Sequence, residues 1–112
     1  MTRPGFYVVY RWRLVPGTDA EFIRAWAALT EAIKAQRGGL GSRLHRRDDG
    51  DWLAYAAWPD RAAWETSRDQ PSPLPDVSAA MTACIAESRA PILLDPVEDL
   101  LVRATDGTGR QA

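Results

Sequence analysis

The stretch from residue 51 to residue 64, which reads DWLAYAAWPDRAAW, constrains the fold of this chain most strongly. Every residue from 52 to 58 is apolar or aromatic, so a strand here has apolar side chains on both of its faces. Pro59 ends such a strand, and Asp60 is placed to cap a short helix that carries Trp64. Both faces of the sheet must therefore be covered, and a tryptophan-rich junction stands at a strand end, where pockets form.

Length and composition fit one globular domain. The 112 residues are 46% hydrophobic and 26% charged, and the net charge of -1 comes from both signs scattered along the chain, unlike the clustered positive excess of a nucleic-acid-binding surface. The single cysteine, Cys84, excludes an internal disulfide and a thiolate metal site built by one chain. We predict one domain over residues 1–103 and a flexible tail over residues 104–112.

Neither a membrane segment nor a signal peptide is evident in the sequence. No apolar run approaches the ~20 residues that span a bilayer. The residues before the first predicted strand are too few and too polar for a signal peptide. We therefore expect a cytoplasmic protein without a membrane partner.

The segments before residue 51 predict a strand, a helix and a second strand. Residues 6–15 are aromatic and β-branched, and their even-numbered side chains form the more apolar face. Thr18 and Glu21 have the spacing of a capping box, which predicts a helix that ends before two glycines. Residues 40–47 predict the next strand, and an Asp-Gly turn pairs it antiparallel with residues 52–58.

The segments after residue 64 predict a loop, a helix and a broken strand. Three prolines within residues 70–75 favour an irregular loop, and Asp76 is placed to cap the following helix. The apolar stripe of that helix runs to Ile85, and the helix is expected to end by Arg89. Residues 92–102 predict a last strand that is interrupted by a proline. Helical spacing assigns four side chains to the core: Phe22, Trp26, Met81 and Cys84.

The predicted order of elements, βαββαβ, gives an α+β ferredoxin-like fold, in which an antiparallel sheet has both helices packed on one face. The helices cover one face only, yet the strands at residues 6–15 and 52–58 carry large apolar side chains on both. The simplest cover for the open face is the same face of a second copy. We therefore predict a homodimer that closes two sheets into a barrel around a cavity.

Three motifs resemble the antibiotic biosynthesis monooxygenase family of dimeric α/β barrels: PGTDAEF at residues 16–22, GLGSRLHR at residues 39–46 and AYAAWPD at residues 54–60. The resemblance spans residues 6–102, and its most specific element is Trp58, followed by Trp64 on a short helix. The family includes oxygenases that convert polyphenolic substrates to quinones without metal or flavin, as well as haem-degrading enzymes. The resemblance therefore implies a homodimer, a small aromatic ligand and no cofactor.

The chain departs from the catalytic members of that family because it contains no asparagine. Those members place an asparagine in the cavity, and the aligned positions here are Tyr10 on the first strand and Ala54 on the third. Haem degraders also use a ligand histidine in the second helical region, whereas the one histidine here, His45, lies on the second strand. The resemblance therefore does not extend to haem degradation.

His45, Arg43 and Tyr10 are the candidate catalytic residues. Histidine is the residue type whose ordinary pKa lies nearest neutrality, so His45 is the natural acceptor of a phenol proton, while Arg43 on the same face could stabilise a phenolate or superoxide. Alternatively, both residues line the seam of a dimer and pair with carboxylates of the other copy. Tyr10 could donate to a substrate oxygen or only satisfy its own hydroxyl. Alternation places Tyr10 on the helix side, whereas the family alignment places it in the cavity.

Trp52, Trp58 and Trp64 are the candidate substrate-binding residues. Trp58 either stacks a flat substrate as a cavity wall or anchors the core between sheet and partner. Trp64 forms the rim of a pocket if the short helix overhangs the cavity.

These residues lead to two classes of function. The leading hypothesis is a cofactor-independent monooxygenase of small phenolic aromatics; a cofactor-free isomerase or lactone-processing enzyme would use the same base and cation. The alternative is a non-catalytic dimeric binding or interaction module whose cavity is filled by its own side chains. An open pocket of a few hundred Å3 near Trp58 favours the enzyme.

Overall fold

The computed structural model describes residues 5–102 and residue 104, and within them the chain forms a five-stranded antiparallel sheet and three helices. The ferredoxin-like α+β architecture is confirmed. Apart from residue 104, the predicted tail lies outside the described residues. The elements in chain order are β1 (Phe6–Leu14), α1 (Asp19–Arg37), β2 (Ser42–Arg46), β3 (Trp52–Trp58), α2 (Arg61–Arg68), α3 (Pro75–Ala83), β4 (Ile85–Ser88) and β5 (Ile92–Leu94).

β1 lies inside the sheet and pairs along both edges. The strand order is β2-β3-β1-β4, and the hairpin of β2 and β3 predicted from the Asp-Gly turn is confirmed. On the other edge of β1, β4 pairs with residues 12–14 and β5 with residues 7–9, so the two short strands lie end to end. The sheet thus ends on one side in two short strands where the sequence predicted one.

The last third of the chain corrects two predictions. The second helical stripe was expected to reach Ile85, but α3 ends at Ala83 and the next residues form β4, because they pair with the edge of β1. Ion pairs from Glu87 and Arg89 hold this strand in place. The last strand was expected over residues 92–102 but covers Ile92–Leu94 only, and the following residues up to 102 form no strand.

The ends of the helices differ from the predicted caps in two places. Thr18 stands at the N-cap of α1, but its hydroxyl donates to the carbonyl of Val15 at 2.7 Å and caps no helix amide. α3 begins two residues earlier than expected, with Pro75 in its first turn and Leu74 instead of Asp76 at the N-cap. The predicted cap of α2 is confirmed, since the Asp60 carboxylate accepts from the amide of Ala63 at 2.8 Å.

The core lies between the sheet and the helices and has two clusters. One is built around Phe22, Trp12 and Trp52, whose rings meet edge to face. The other is built around Phe6 and Trp64, with ring centroids 5.6 Å apart. Even-numbered residues of β1 and β3 supply both clusters, as the alternation predicted.

The opposite face of the sheet, called the open face below, carries the odd-numbered side chains of β1, β2 and β3. Tyr7 and Tyr55 stack there with ring centroids 5.0 Å apart, and the guanidinium of Arg43 lies 5.1 Å from the centre of the Tyr55 ring. No described helix packs on it. None of the helices in the described part of the chain is both long and apolar enough to cross a membrane.

Candidate functional site

A cavity of about 210 Å3, called the inner cavity below, lies between α1 and the sheet where the two core clusters meet. This space is open because three of the residues that line it are small. Ala54 and Ala56 face it from the sheet, and Gly39 faces it from the segment after α1. A methyl group added at Gly39 would lie 2.9 Å from Ile33 Cγ2 and 3.5 Å from Trp58 Cη2. The remaining walls are mostly apolar: Tyr10, Trp12, Trp26, Leu29, Thr30, Ile33, Gly41, Ser42, Ala57, Trp58 and Met81.

Tyr10 makes a side-chain hydrogen bond at the wall of this cavity. Its phenol oxygen accepts a hydrogen bond of 2.9 Å from the indole Nε1 of Trp64. Burial raises the pKa of Tyr10 above its usual value of 10.0, although the Trp64 hydrogen bond and the charge of Arg68 act in the opposite direction. The phenol therefore keeps its proton at neutral pH, and since its oxygen already accepts from Trp64, its O–H is available to donate to a ligand.

Two further donors on the cavity wall have no hydrogen-bond partner among the described residues. They are the Ser42 hydroxyl and the indole Nε1 of Trp58, which are buried, and both residues line the inner cavity. A buried donor without a partner costs about 1 to 3 kcal/mol, so proteins seldom keep one without a reason. Neither atom is exposed to the empty cavity, so a small shift of the side chain has to accompany a hydrogen bond from either group to a bound molecule. The mostly apolar wall thus holds the donors of Tyr10, Ser42 and Trp58, together with the hydroxyl of Thr30.

A second cavity of about 320 Å3, the outer cavity, adjoins the first. Tyr10, Leu29, Ile33 and Trp58 line both cavities. The other walls of the outer cavity come from the end of α1, from α2 and from the proline-rich loop, and they are largely polar: Arg37, Trp64, Ser67, Arg68, Gln70, Pro71, Ser72, Pro73 and Ser78.

The structure divides the six predicted site residues between two faces of the sheet. Tyr10 and Trp58 line both cavities, and Trp64 lines the outer one, so these three come together. Trp52 instead packs against Phe22 in the core and lines neither cavity.

Arg43 and His45 lie on the open face, where Arg43 Nε donates to His45 Nε2 at 3.0 Å. They line neither described cavity.

The inner cavity lies within one chain, on the helix side of the sheet. The cavity that the sequence argument placed between two sheets of a dimer is a different space, and it stays a prediction. Alternation placed Tyr10 on the helix side, and Tyr10 lies there and lines the inner cavity. Trp26 and Met81, predicted as core, are only half-buried and line the cavity.

Sequence reasoning overlooked Ser42 and Arg68. Ser42 lies on a predicted strand, but a serine in a strand gives no indication that its hydroxyl lacks a partner. Arg68 follows Trp64 by one helical turn, and this spacing could have shown that the two side chains share a face. The described residues contain no cluster of three or more His, Cys, Asp or Glu side chains that could hold a metal ion.

Comparison with solved structures finds proteins of the same fold. SnoaB, a cofactor-independent oxygenase from Streptomyces nogalater, is 25% identical over 88% of this chain and 98% of its own, with a TM-score of 0.71. A SnoaB mutant in which an asparagine is replaced by alanine is 26% identical over 86% of this chain and 96% of its own, also with a TM-score of 0.71. A putative antibiotic biosynthesis monooxygenase from Caulobacter crescentus is 25% identical over 86% of this chain and 92% of its own, with a TM-score of 0.67.

Comparison with protein families gives a match to one model, while comparison with curated proteins found no significant match. The model, described as antibiotic biosynthesis monooxygenase, matches residues 5–74. These residues include β1 to β3, α1 and α2, which supply nearly all of the inner cavity. The chain therefore belongs to the antibiotic biosynthesis monooxygenase family.

Proposed function

We propose that this protein is a cofactor-independent monooxygenase of small, flat phenolic compounds that become quinones. The observation that carries the proposal is the inner cavity itself, an apolar space whose wall holds the unpaired donors of Ser42 and Trp58 beside the Tyr10 phenol. The family and the likeness to SnoaB, a cofactor-independent oxygenase, support it.

The donors would act on the ionisation of the bound phenol. Hydrogen bonds to a charged oxygen favour the charged form, so Tyr10, Ser42 and Trp58 would lower the pKa of a phenol that they contact. The apolar walls exclude water, which strengthens these contacts and protects reactive intermediates. The bound phenolate is electron-rich and reacts directly with dioxygen.

The reaction balances without a further reductant. A ring carbon opposite the phenol forms a bond to one oxygen atom of dioxygen, which becomes the second quinone carbonyl. The other oxygen atom leaves as water with the two hydrogen atoms lost by the substrate, one from that carbon and one from the phenol. The substrate thus supplies all four electrons that reduce dioxygen.

The roles predicted for His45 and Arg43 stay predictions. Their place on the open face favours the alternative that they lie at a seam between two copies. A homodimer formed through the open face and a cytoplasmic location belong to the same proposal.

Oxygen uptake tests the proposed function. The purified protein, treated with a chelator, is mixed with anthrone-type and naphthol substrates in air-saturated buffer, and oxygen uptake is followed together with quinone absorbance. We expect one dioxygen consumed for each quinone formed, and labelled dioxygen should place one labelled atom in the product. Rates equal to those of buffer alone across the panel would refute the proposal.

The second candidate is a binding protein without chemistry. Ala54 favours it, because the resemblance implies an asparagine at this position in quinone-forming relatives. The same panel separates the two functions: saturable quenching of tryptophan fluorescence without oxygen uptake would support the binding protein.

A further inference from the structure

The outer cavity differs from the inner one in its chemistry. The inner cavity is mostly apolar and has no charged side chain among its described walls, whereas the outer one is lined by two arginines, three serines and a glutamine, with no acidic residue among its described walls. The two adjoin at Tyr10 and Trp58. A ligand whose ring fills the inner cavity therefore has a polar, positively charged space beside it.

Arg37 and Arg68 make different contacts in the outer cavity. Arg37 Nη2 donates to the carbonyl of Pro71 at 2.8 Å and Nη1 to that of Ser67 at 3.3 Å, so this guanidinium ties the end of α1 to the wall of the outer cavity. The guanidinium of Arg68 lies 4.9 Å from the centre of the Trp64 ring. This stacking on an aromatic face aims Arg68 along the same side of α2 as Trp64.

Arg68 has its charge available for a ligand. Within residues 5–102 no carboxylate lies within ion-pairing distance of it, whereas Arg61 on the same helix pairs with Glu65 at 3.0 Å. Its charge reaches the inner cavity, because it is one of the groups that lower the pKa of Tyr10. The guanidinium is thus close to the point where the two cavities adjoin.

We propose that the outer cavity is a second subsite, in which Arg68 binds a carboxylate carried on a short side chain of the aromatic ligand. The inference rests on the proposed site, and it names the substrate class: a flat phenol with an anionic substituent. One unengaged guanidinium matches one carboxylate, which it can bind through two parallel hydrogen bonds. The hydroxyls of Ser72 and Ser78, which bond to each other on the same wall, supply further polar contact.

Binding of a matched pair of ligands tests this subsite without any need for turnover. The probes are a naphthol that carries a short carboxylate side chain and the methyl ester of the same compound, titrated anaerobically by tryptophan fluorescence. We expect the acid to bind roughly threefold to tenfold more tightly than the ester at low salt, and this advantage should shrink as ionic strength rises. Equal affinities, or no binding of either probe, would overturn the proposal.

Variants of α2 assign the effect to one residue. Arg68→Gln, which keeps the length of the side chain but removes its charge, should abolish the preference for the acid and leave the affinity for the ester unchanged. Arg68→Lys should retain part of the preference. The matched control is Arg61→Gln on the same helix, which should keep the full preference because Arg61 lines neither cavity. If Arg68→Gln keeps the preference and Arg61→Gln loses it, the subsite is wrong.

The outcome is distinguishable from that of the oxygenase test. Selective binding of the acid through Arg68 without any oxygen uptake would leave the subsite standing and refute only the chemistry. Oxygen uptake with equal affinity for acid and ester would do the reverse.

Discussion

Substitution of Ser42 should affect stability and ligand binding in different ways. Ser42→Ala removes a buried donor that has no partner within residues 5–102, so the free energy of unfolding should stay unchanged or rise by up to about 1 kcal/mol. Binding of naphthol should weaken at the same time, because one contact to its oxygen is lost. Thermal unfolding and fluorescence titration measure the two effects, and Ser88→Ala on β4 is the exposed control. A clear loss of stability would mean that Ser42 has a structural partner.

For Tyr10 we expect a loss of stability, because its phenol oxygen already accepts a hydrogen bond from Trp64. Tyr10→Phe leaves Trp64 Nε1 without its acceptor, which should lower the free energy of unfolding by about 1 to 3 kcal/mol. Loss of the donor to the substrate oxygen should lower kcat on the order of tenfold to a hundredfold with a smaller change in KM. Tyr7→Phe on the open face is the control for a lost phenol and should keep the wild-type kcat. A wild-type kcat in Tyr10→Phe would exclude the proposed contact.

The strands and the cavity differ in how well they could be predicted from the sequence. Alternation in β3 correctly assigned Trp58 to one face and Tyr55 to the other, since the period of a strand is a local property. β4 could not be found in this way, because Ile85 also continues the helical spacing of α3 and only pairing with β1 decides between the two. Likewise, the volume beside Trp58 depends on how closely α1 approaches small residues such as Gly39, and that is a tertiary property.

The ion pairs that hold β4 predict how stability changes with pH. A hydrogen bond from Arg89, with Oδ2 of Asp51 3.0 Å from Nη2, lowers the pKa of Asp51 below its usual value of 3.8, and the charge of Arg13 contributes. Because the folded pKa is the lower one, the contacts stabilise the fold above about pH 3.8 and are lost as the pH falls through the folded pKa. Tm should therefore drop on acidification more steeply in the wild type than in Asp51→Asn.

Thermal unfolding as a function of pH measures this difference. Asp48→Asn in the same turn is the matched control, because Asp48 forms no ion pair within the described residues. Its Tm should follow that of the wild type throughout the acid range. Parallel curves for the wild type and Asp51→Asn would show that the contacts between Asp51 and Arg89 do not contribute to stability.

In the whole molecule, the two cavities and the open face lie on opposite sides of the sheet. Both cavities lie on the helix side of one chain, while the open face carries Tyr7 and Tyr55 and has no covering helix. Burial, the neighbouring Tyr7 and Asp99 all raise the pKa of Tyr55, so the segment after β5 lies near this face. Large apolar side chains of that segment are strongly exposed in the single chain: Val97, Leu100, Leu101 and Val102. Exposed apolar surface of this kind is typical of an interface.

The proposed second copy on the open face would cover that surface, and it predicts the mass in solution. The wild type should sediment with the mass of two chains, and Tyr55→Asp should shift the mass towards one chain, since an unpaired charge buried in an interface costs several kcal/mol. Leu101→Asp tests the same face through a side chain that is 74% exposed and cannot disturb the fold of one chain. Ile23→Asp on the outer side of α1, also exposed, is the control and should stay dimeric. Naphthol should still bind to the monomeric variants, because one chain supplies the whole cavity. A wild type that sediments as one chain would refute the dimer. Variants that lose both dimerisation and naphthol binding would show that the partner completes the site.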